Sequence, residues 1–242
     1  MITKIYLSLI FFIFSSIISA TPPDFAEIKN IKQKKEAFFN YLKPIAQKVN
    51  QKVIDTRTKL TNLLSKTSIS INEQNWLNKI AKKYDVKNWD YKSIQKKHEL
   101  TTKVDVIPMP ILLAQAANES AWGTSRFARQ GNNFFGQWCF TKNCGIIPNQ
   151  RPKNTTYSVR KFDSVEKSVE SYIHNLNTNL GYQYFRELRA NLREKKQPLN
   201  SIYLTQGLIK YSTKKEAYIA ELNQMIKHNN LNRYKVNYDN AG

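Results

Sequence analysis

The stretch that most constrains this chain is "ILLAQAA", residues 111–117, with Pro110 ahead of it and Gly123 just past it. A proline suits the first helical turn and a glycine suits the stop. The expected helix spans 105–123 and is apolar on most sides, so it belongs at the centre of the fold. One acidic residue, Glu119, sits where that helix ends, between Asn118 and Ser120 and close to Trp122. Dry surroundings and the negative end of the helix dipole both disfavour a charged carboxylate there, and both should raise its pKa. A carboxylic acid kept protonated near neutral pH is what a glycosidase needs to protonate a leaving oxygen. The plainer role for Glu119 is to bond loop amides and hold the turn.

The rest of the chain reads as helices around one irregular insert. Apolar residues recur at helical spacing over 24–66, with lysines between them, and Pro44 is expected to bend or interrupt that element. A second helix fits 72–86 with Asn72 as its cap. Residues 129–161 gather glycine, asparagine, proline and aromatics, and "TTYSVRKF" alternates like a strand. A helix follows, with Asp163 as expected N-cap and Glu166 at the capping-box position. Further helices fit 184–194, 198–210 and 214–228, and the residues after Leu231 are expected to be loose. The expected fold class is mainly α and lysozyme-like (α+β), with a small β-containing lobe and an N-terminal helical extension. The expected division is a signal peptide at 1–20, a helical extension at 21–100, a catalytic domain at 101–232 and a flexible tail at 233–242.

"MITKIYLSLIFFIFSSIISA" has a lysine near its start, an apolar run and Ala20 before "TPPDF". That is the layout of a secretory signal peptide, and the run is short for a membrane span. The expected location is outside the inner membrane, in the periplasm. Export changes the reading of Cys139 and Cys144 in "WCFTKNCG": a small loop disulfide fits an oxidising compartment, although spacing alone leaves two free thiols open. The formal charge is +20, or 20 − 1 = +19 once the segment carrying Lys4 is removed. So large an excess points to an anionic partner, and export favours the cell wall or a membrane surface over nucleic acid. Plain solubility is the competing explanation.

No serine–histidine–acid spacing, phosphate loop or zinc signature stands out, so neither cofactor nor metal is expected, and carboxylate chemistry remains. Ten acidic residues follow position 100. Glu187, Glu194, Glu216 and Glu221 lie among basic residues on helical stretches and read as solvated faces. Asp163 and Glu166 read as caps. Glu119 alone sits in apolar company.

"LLAQAANESAWGTSRFARQGNNFFGQWCF" resembles the glucosaminidase family of peptidoglycan hydrolases. The matching positions are Ala114, Gln115, Ala116, Glu119, Ser120, Gly123, Asn133, Phe135 and Gly136. "GQWCF", "CGIIP", "VRKFDSVEKSVESYIHNLNTN" and "GLIKYSTKKEAYIAEL" resemble the Bax-type subgroup of Gram-negative bacteria, so the likeness spans nearly all of the chain beyond the signal segment. The resemblance implies a peptidoglycan glycan strand as partner, hydrolysis of β-1,4 bonds after N-acetylglucosamine, and Glu119 as general acid. It implies substrate contacts at Ser120, Asn133, Phe135, Gly136, Trp138, Tyr157 and Tyr211, with Tyr218 packed behind Tyr211. Ordinary core packing competes for each aromatic.

Many members carry a second glutamate in the β-lobe, whereas "CGIIPNQRPKNTTYSVRKF" has no acid at all. Asp163 is the nearest candidate for a second acid. A route that needs one acid uses the substrate's own acetamido group. The rivals are a muramidase or lytic transglycosylase, an amidase, and a wall-binding protein without activity.

Overall fold

The computed structural model describes residues 21–152 and 154–236, so the expected signal segment and the last residues of the expected tail lie outside it. Nine α-helices and one small sheet are built from the described residues. Helix α1, Ile31–Leu64, runs unbroken through Pro44, with Asn30 accepting from the Gln33 amide as its cap. The expected interruption does not occur. Phe38, Phe39, Leu42, Ala46, Val49 and Val53 recur every three or four residues and are buried on one face, and that packing outweighs one lost helical hydrogen bond.

Helix α2, Ile71–Lys83, is capped by Ser70 rather than Asn72, because Glu73 three residues after Ser70 bonds back to the Ser70 amide. A capping box needs that spacing, and it leaves Asn72 inside the first turn. Helix α3, Ile94–Lys103, was not expected. Its composition is mostly polar, and it buries only Leu100 and Lys103.

Helix α4, Met109–Glu119, is the expected central helix, and residues 109–117 are all buried. It packs against α1, against α9 (Glu216–His228) and against the 3-10 turn Leu231–Tyr234. That turn belongs to the core: Leu231 is buried and Tyr234 meets Phe39 at 6.1 Å between ring centroids. Residues 231–234 are therefore ordered by contact with α1 and α4, which polarity alone did not suggest.

After a short helix α5, Arg126–Gly131, three strands form an antiparallel sheet in the order β1-β3-β2. They are β1 Trp138–Cys139, β2 Gly145–Ile146 and β3 Ser158–Arg160. Cys139 and Cys144 are joined by a disulfide across the loop between β1 and β2, with Cα atoms 6.1 Å apart. Helix α6, Val165–Thr178, is capped by Ser164 rather than Asp163. That shift puts Lys167 at the third helical position, so Glu166 reaches across to Lys48 and Lys52, each at 2.7 Å, instead of closing a capping box. Helix α7, Gln183–Glu194, precedes α8, Ser201–Leu204, which continues as a 3-10 turn through Leu208. The fold is mainly α with a small β lobe, consistent with a lysozyme-like architecture, and carries the expected N-terminal helix.

One buried charge cluster fixes the approach to α4. Asp105 is fully enclosed and meets Arg193 at 2.9 Å and both Arg57 and Arg189 at 3.6 Å. Burial alone would raise its carboxyl, but the three guanidinium groups hold it down at about 2. The arginines also donate to backbone: Arg189 to Val106 O at 2.8 Å and Arg57 to Val104 O at 2.9 Å. From α1, Asn50 brackets Ile107, donating to its carbonyl at 2.8 Å and accepting from its amide at 3.2 Å. The carbonyls of residues 104–107 thus enter α4 bonded by side chains from α1, α6 and α7.

Candidate active site

Glu119 is the last residue of α4, and the chain turns sharply beyond it. Ala121, Trp122 and Gly123 all take positive φ, at 50°, 61° and 76°. Left-handed backbone costs roughly 1–2 kcal/mol at each non-glycine residue, so neighbours must hold this turn in place. Ser120 does so from below. It is buried, its hydroxyl donates to Ala116 O at 2.6 Å, and it accepts from the Gly123 amide at 2.8 Å. Trp122 is held from above, edge-on to Phe38 and Phe39 with centroids 5.7 and 5.4 Å apart. A Cβ on Gly123 would lie 2.4 Å from the Phe25 ring, so the N-terminal segment closes directly on the turn that carries the carboxylate.

The carboxyl group of Glu119 is partly buried, and burial pushes its pKa up. Hydrogen bonds from Tyr218 and Asn118 act in the opposite direction, and of two smaller contributions the Glu221 charge raises the pKa while Lys214 lowers it. Tyr218 donates to Oε1 at 2.8 Å, and the Asn118 amide approaches the same oxygen at 3.4 Å. The other oxygen, Oε2, faces the backbone of Gly136, where an added Cβ would stand only 4.0 Å away. Gly136 takes φ +66°, a conformation that favours glycine, so the loop of the β lobe passes Oε2 without a side chain.

Tyr218 is one link in a buried chain. Tyr172 donates to Oε1 of Gln115, Gln115 donates from Nε2 to the Tyr218 hydroxyl at 2.9 Å, and Tyr218 donates to Glu119. Burial keeps the Tyr172 and Tyr218 hydroxyls well above their ordinary pKa, so both remain proton donors. Tyr211 stacks on Tyr218, rings 5.4 Å apart and 4° from parallel, and donates to Phe135 O at 3.2 Å. Phe135 in turn stacks on Tyr172 at 4.0 Å. These aromatic contacts tie the β-lobe loop to the helices that hold Glu119.

The residues singled out from the sequence fall into three groups. Glu119, Gly136, Phe135 and Tyr211 come together around one carboxyl group. Ser120 and Asn133 lie beneath the surface as builders of the loops. The buried Asn133 donates to Gln137 O and Arg160 O, each at 2.9 Å, and accepts from the amides of Phe135 and Gln137. Trp138 and Tyr157 form a stacked pair on the sheet, 4.4 Å apart, with Trp138 58% exposed. One face of an exposed indole on a rigid strand is a ready platform for an apolar sugar face.

Asp163 is not part of this constellation. It is exposed and lines a cleft with Lys52, Lys83, Arg160 and His174, whose lining does not include Glu119. Among the described residues, no group of three or more His, Cys, Asp or Glu side chains could hold a metal ion. Tyr218 was expected only to pack behind Tyr211, and Gln115 and Tyr172 were not singled out as contributors to the site. A signal for Gln115 was present: it is the one polar residue of "ILLAQAA", four positions before Glu119 and hence on the same helix face.

The family model described as "Glucosaminidase: Mannosyl-glycoprotein endo-beta-N-acetylglucosaminidase" matches residues 94–231. The chain is also 34% identical over 212 residues to Protein bax of Escherichia coli (strain K12), an alignment covering 87% of this chain and 75% of that relative. The family match holds α4, the turn after Glu119, the β lobe and Tyr218. The relative's alignment is too long to stop at α3, and takes in part of the N-terminal helical region as well.

Proposed function

Because the chain belongs to the glucosaminidase family, we propose that it hydrolyses the β-1,4 glycosidic bond after N-acetylglucosamine in peptidoglycan, with Glu119 as general acid. The observation that carries this reading is the pairing of the two carboxyl oxygens with different surroundings. Oε1 is engaged by Tyr218, while Oε2 lies on the side where the β lobe passes with a glycine and no side chain. Burial favours the protonated form before reaction, and the Tyr218 hydrogen bond stabilises the carboxylate that forms as the proton leaves.

The rest of the mechanism follows from what the β lobe lacks. With no acid between residues 144 and 162, the nucleophile is the substrate's acetamido oxygen. It bonds to the anomeric carbon as the bond to the leaving oxygen breaks and Glu119 delivers its proton there. Water then opens the resulting oxazolinium ion, and the Glu119 carboxylate takes the proton that water gives up. Trp138 and Tyr157 serve as a sugar platform, and Gly136 and Tyr211 line the cleavage point, with the buried Phe135 ring packed behind them on Tyr172. The positive charge and the Cys139–Cys144 disulfide support work in an oxidising, anionic envelope, most simply the periplasm.

Zymography on peptidoglycan gels, followed by mass spectrometry of the products, tests the reading. Clearing by the wild-type protein but not by Glu119→Gln, with new reducing N-acetylglucosamine ends, is the expected result. Anhydromuramic ends would assign the protein to lytic transglycosylation instead. Absence of clearing by either protein would leave wall binding without hydrolysis.

A further inference from the structure

The chain of hydrogen bonds behind Glu119 has a direction, and the direction is set at its far end. The Tyr172 hydroxyl is fully enclosed, and Gln115 is its hydrogen-bond partner among the described residues. A buried hydroxyl hydrogen needs an acceptor, so Tyr172 must donate, and the Gln115 amide must present its oxygen to it. The amide nitrogen is then left to donate to Tyr218 at 2.9 Å. With its oxygen already accepting from Gln115, the Tyr218 hydroxyl turns its hydrogen to Glu119 Oε1 at 2.8 Å. Were the amide reversed, Tyr172 would lose its acceptor, Tyr218 would donate to Gln115, and Glu119 would lose its donor.

We propose that Gln115 is a positioning residue: held one way round by Tyr172, it fixes Tyr218 as a donor to Oε1 of Glu119, so that the acid proton sits on Oε2, facing Gly136. The assignment rests on the reading of Glu119 as the general acid. The other titratable groups around Glu119 do not supply the same control. Tyr172 on α6, Tyr182 after it, and Tyr211 are all raised by burial and stay neutral. Lys214 and Glu221, just ahead of and within α9, are paired with each other at 2.8 Å with side chains 59% and 41% exposed.

The test is a carbon-13 carboxyl titration of Glu119 in the full chain, run alongside the pH dependence of kcat/KM and thermal melts. Glu119→Gln identifies the resonance. Tyr172→Phe keeps the ring that stacks on Phe135 and removes only the donor, freeing the Gln115 amide to turn. Gln115→Met is the opposite arm: it removes the amide altogether, so that of these two partners only Glu119 is left to accept the Tyr218 hydrogen. The expected result is an upward move of the Glu119 midpoint by about one pH unit in Tyr172→Phe, matched by the basic limb of kcat/KM, with a clearly smaller move in Gln115→Met. A midpoint unmoved in folded Tyr172→Phe, or one moved up by as much in Gln115→Met, would overturn the proposal and reduce Gln115 to core packing, even with glycosidase activity intact. A shifted midpoint in a protein that shows no hydrolysis would instead leave the positioning role standing and remove the enzymatic reading.

Discussion

The hydroxyl of Tyr218 and the carboxyl of Glu119 are 99 residues apart in sequence and 2.8 Å apart in space. The contact brings α9 to the end of α4 and places a neutral donor on one oxygen of a carboxyl group whose pKa burial raises. Burial favours the protonated form of this carboxyl, and the tyrosine hydroxyl is placed to stabilise the charge that loss of the proton would leave.

Glu119→Gln should lower turnover by roughly 10²–10⁴-fold, with substrate binding and fold retained. It should also stabilise the protein at neutral pH. The folded pKa of Glu119 lies above its unfolded value, so the native state binds the proton more tightly. Stability from this group is therefore fully present below about pH 4 and is lost as pH rises through the folded pKa. Melting curves of wild type and variant should coincide at low pH and separate above it, the variant being higher; a variant that melts lower at pH 7 contradicts this.

Tyr218→Phe removes the donor to Oε1 and leaves the stack on Tyr211 in place. A hydrogen bond to a charged group is worth about 1.5–3 kcal/mol, or roughly 10–150-fold in rate. Because the bond strengthens as the carboxylate forms, the loss should appear in kcat rather than KM. The basic limb of the pH profile should move up, since the remaining environment favours the protonated acid more strongly. Steady-state kinetics on purified glycan fragments across pH separates these effects; an increase in KM alone would assign Tyr218 to substrate binding.

Gly123→Ala should destabilise the fold by about 1–3 kcal/mol, from the positive φ and from the contact with Phe25. The clash component is specific to that ring. Phe25→Ala alone costs about 3–5 kcal/mol as a buried aromatic, and the double variant should be more stable than the sum of the two losses allows. Urea unfolding of the four proteins measures the coupling, and strict additivity would mean that the ring and the turn do not meet.

Asp105→Asn leaves Arg57, Arg189 and Arg193 without their shared carboxylate. Breaking a buried charge cluster of this type costs about 3–5 kcal/mol. The wild-type protein should also carry a pH signature from this group. The folded pKa is depressed to about 2, so its contribution is present above the ordinary aspartate value and fades as pH falls from about 4 toward 2. Denaturation midpoints over that interval should fall steeply in wild type and less in the variant.

Much of the site was legible in the sequence because it is local. Apolar residues with a proline before and a glycine after define α4 without reference to the rest of the fold, and Glu119 stands out by its place on it. The acid-free β lobe was equally visible, whereas the spacing of Cys139 and Cys144 left their pairing open until the fold brought them together. Caps were less secure: Ser70 and Ser164 took the places expected of Asn72 and Asp163, since polar residues one or two positions apart compete for the same amides. What the sequence by itself determined is a central helix ending in a carboxylic acid. Only the tertiary structure decided what that acid touches. Tyr218 reaches it from α9, Gln115 and Tyr172 orient that tyrosine, and Phe25 closes on Gly123 from the far end of the chain. Periodicity reports which face of an element is buried, but the partner across that face depends on how distant elements pack, and here those partners decide which carboxyl oxygen of Glu119 receives a tyrosine hydrogen bond.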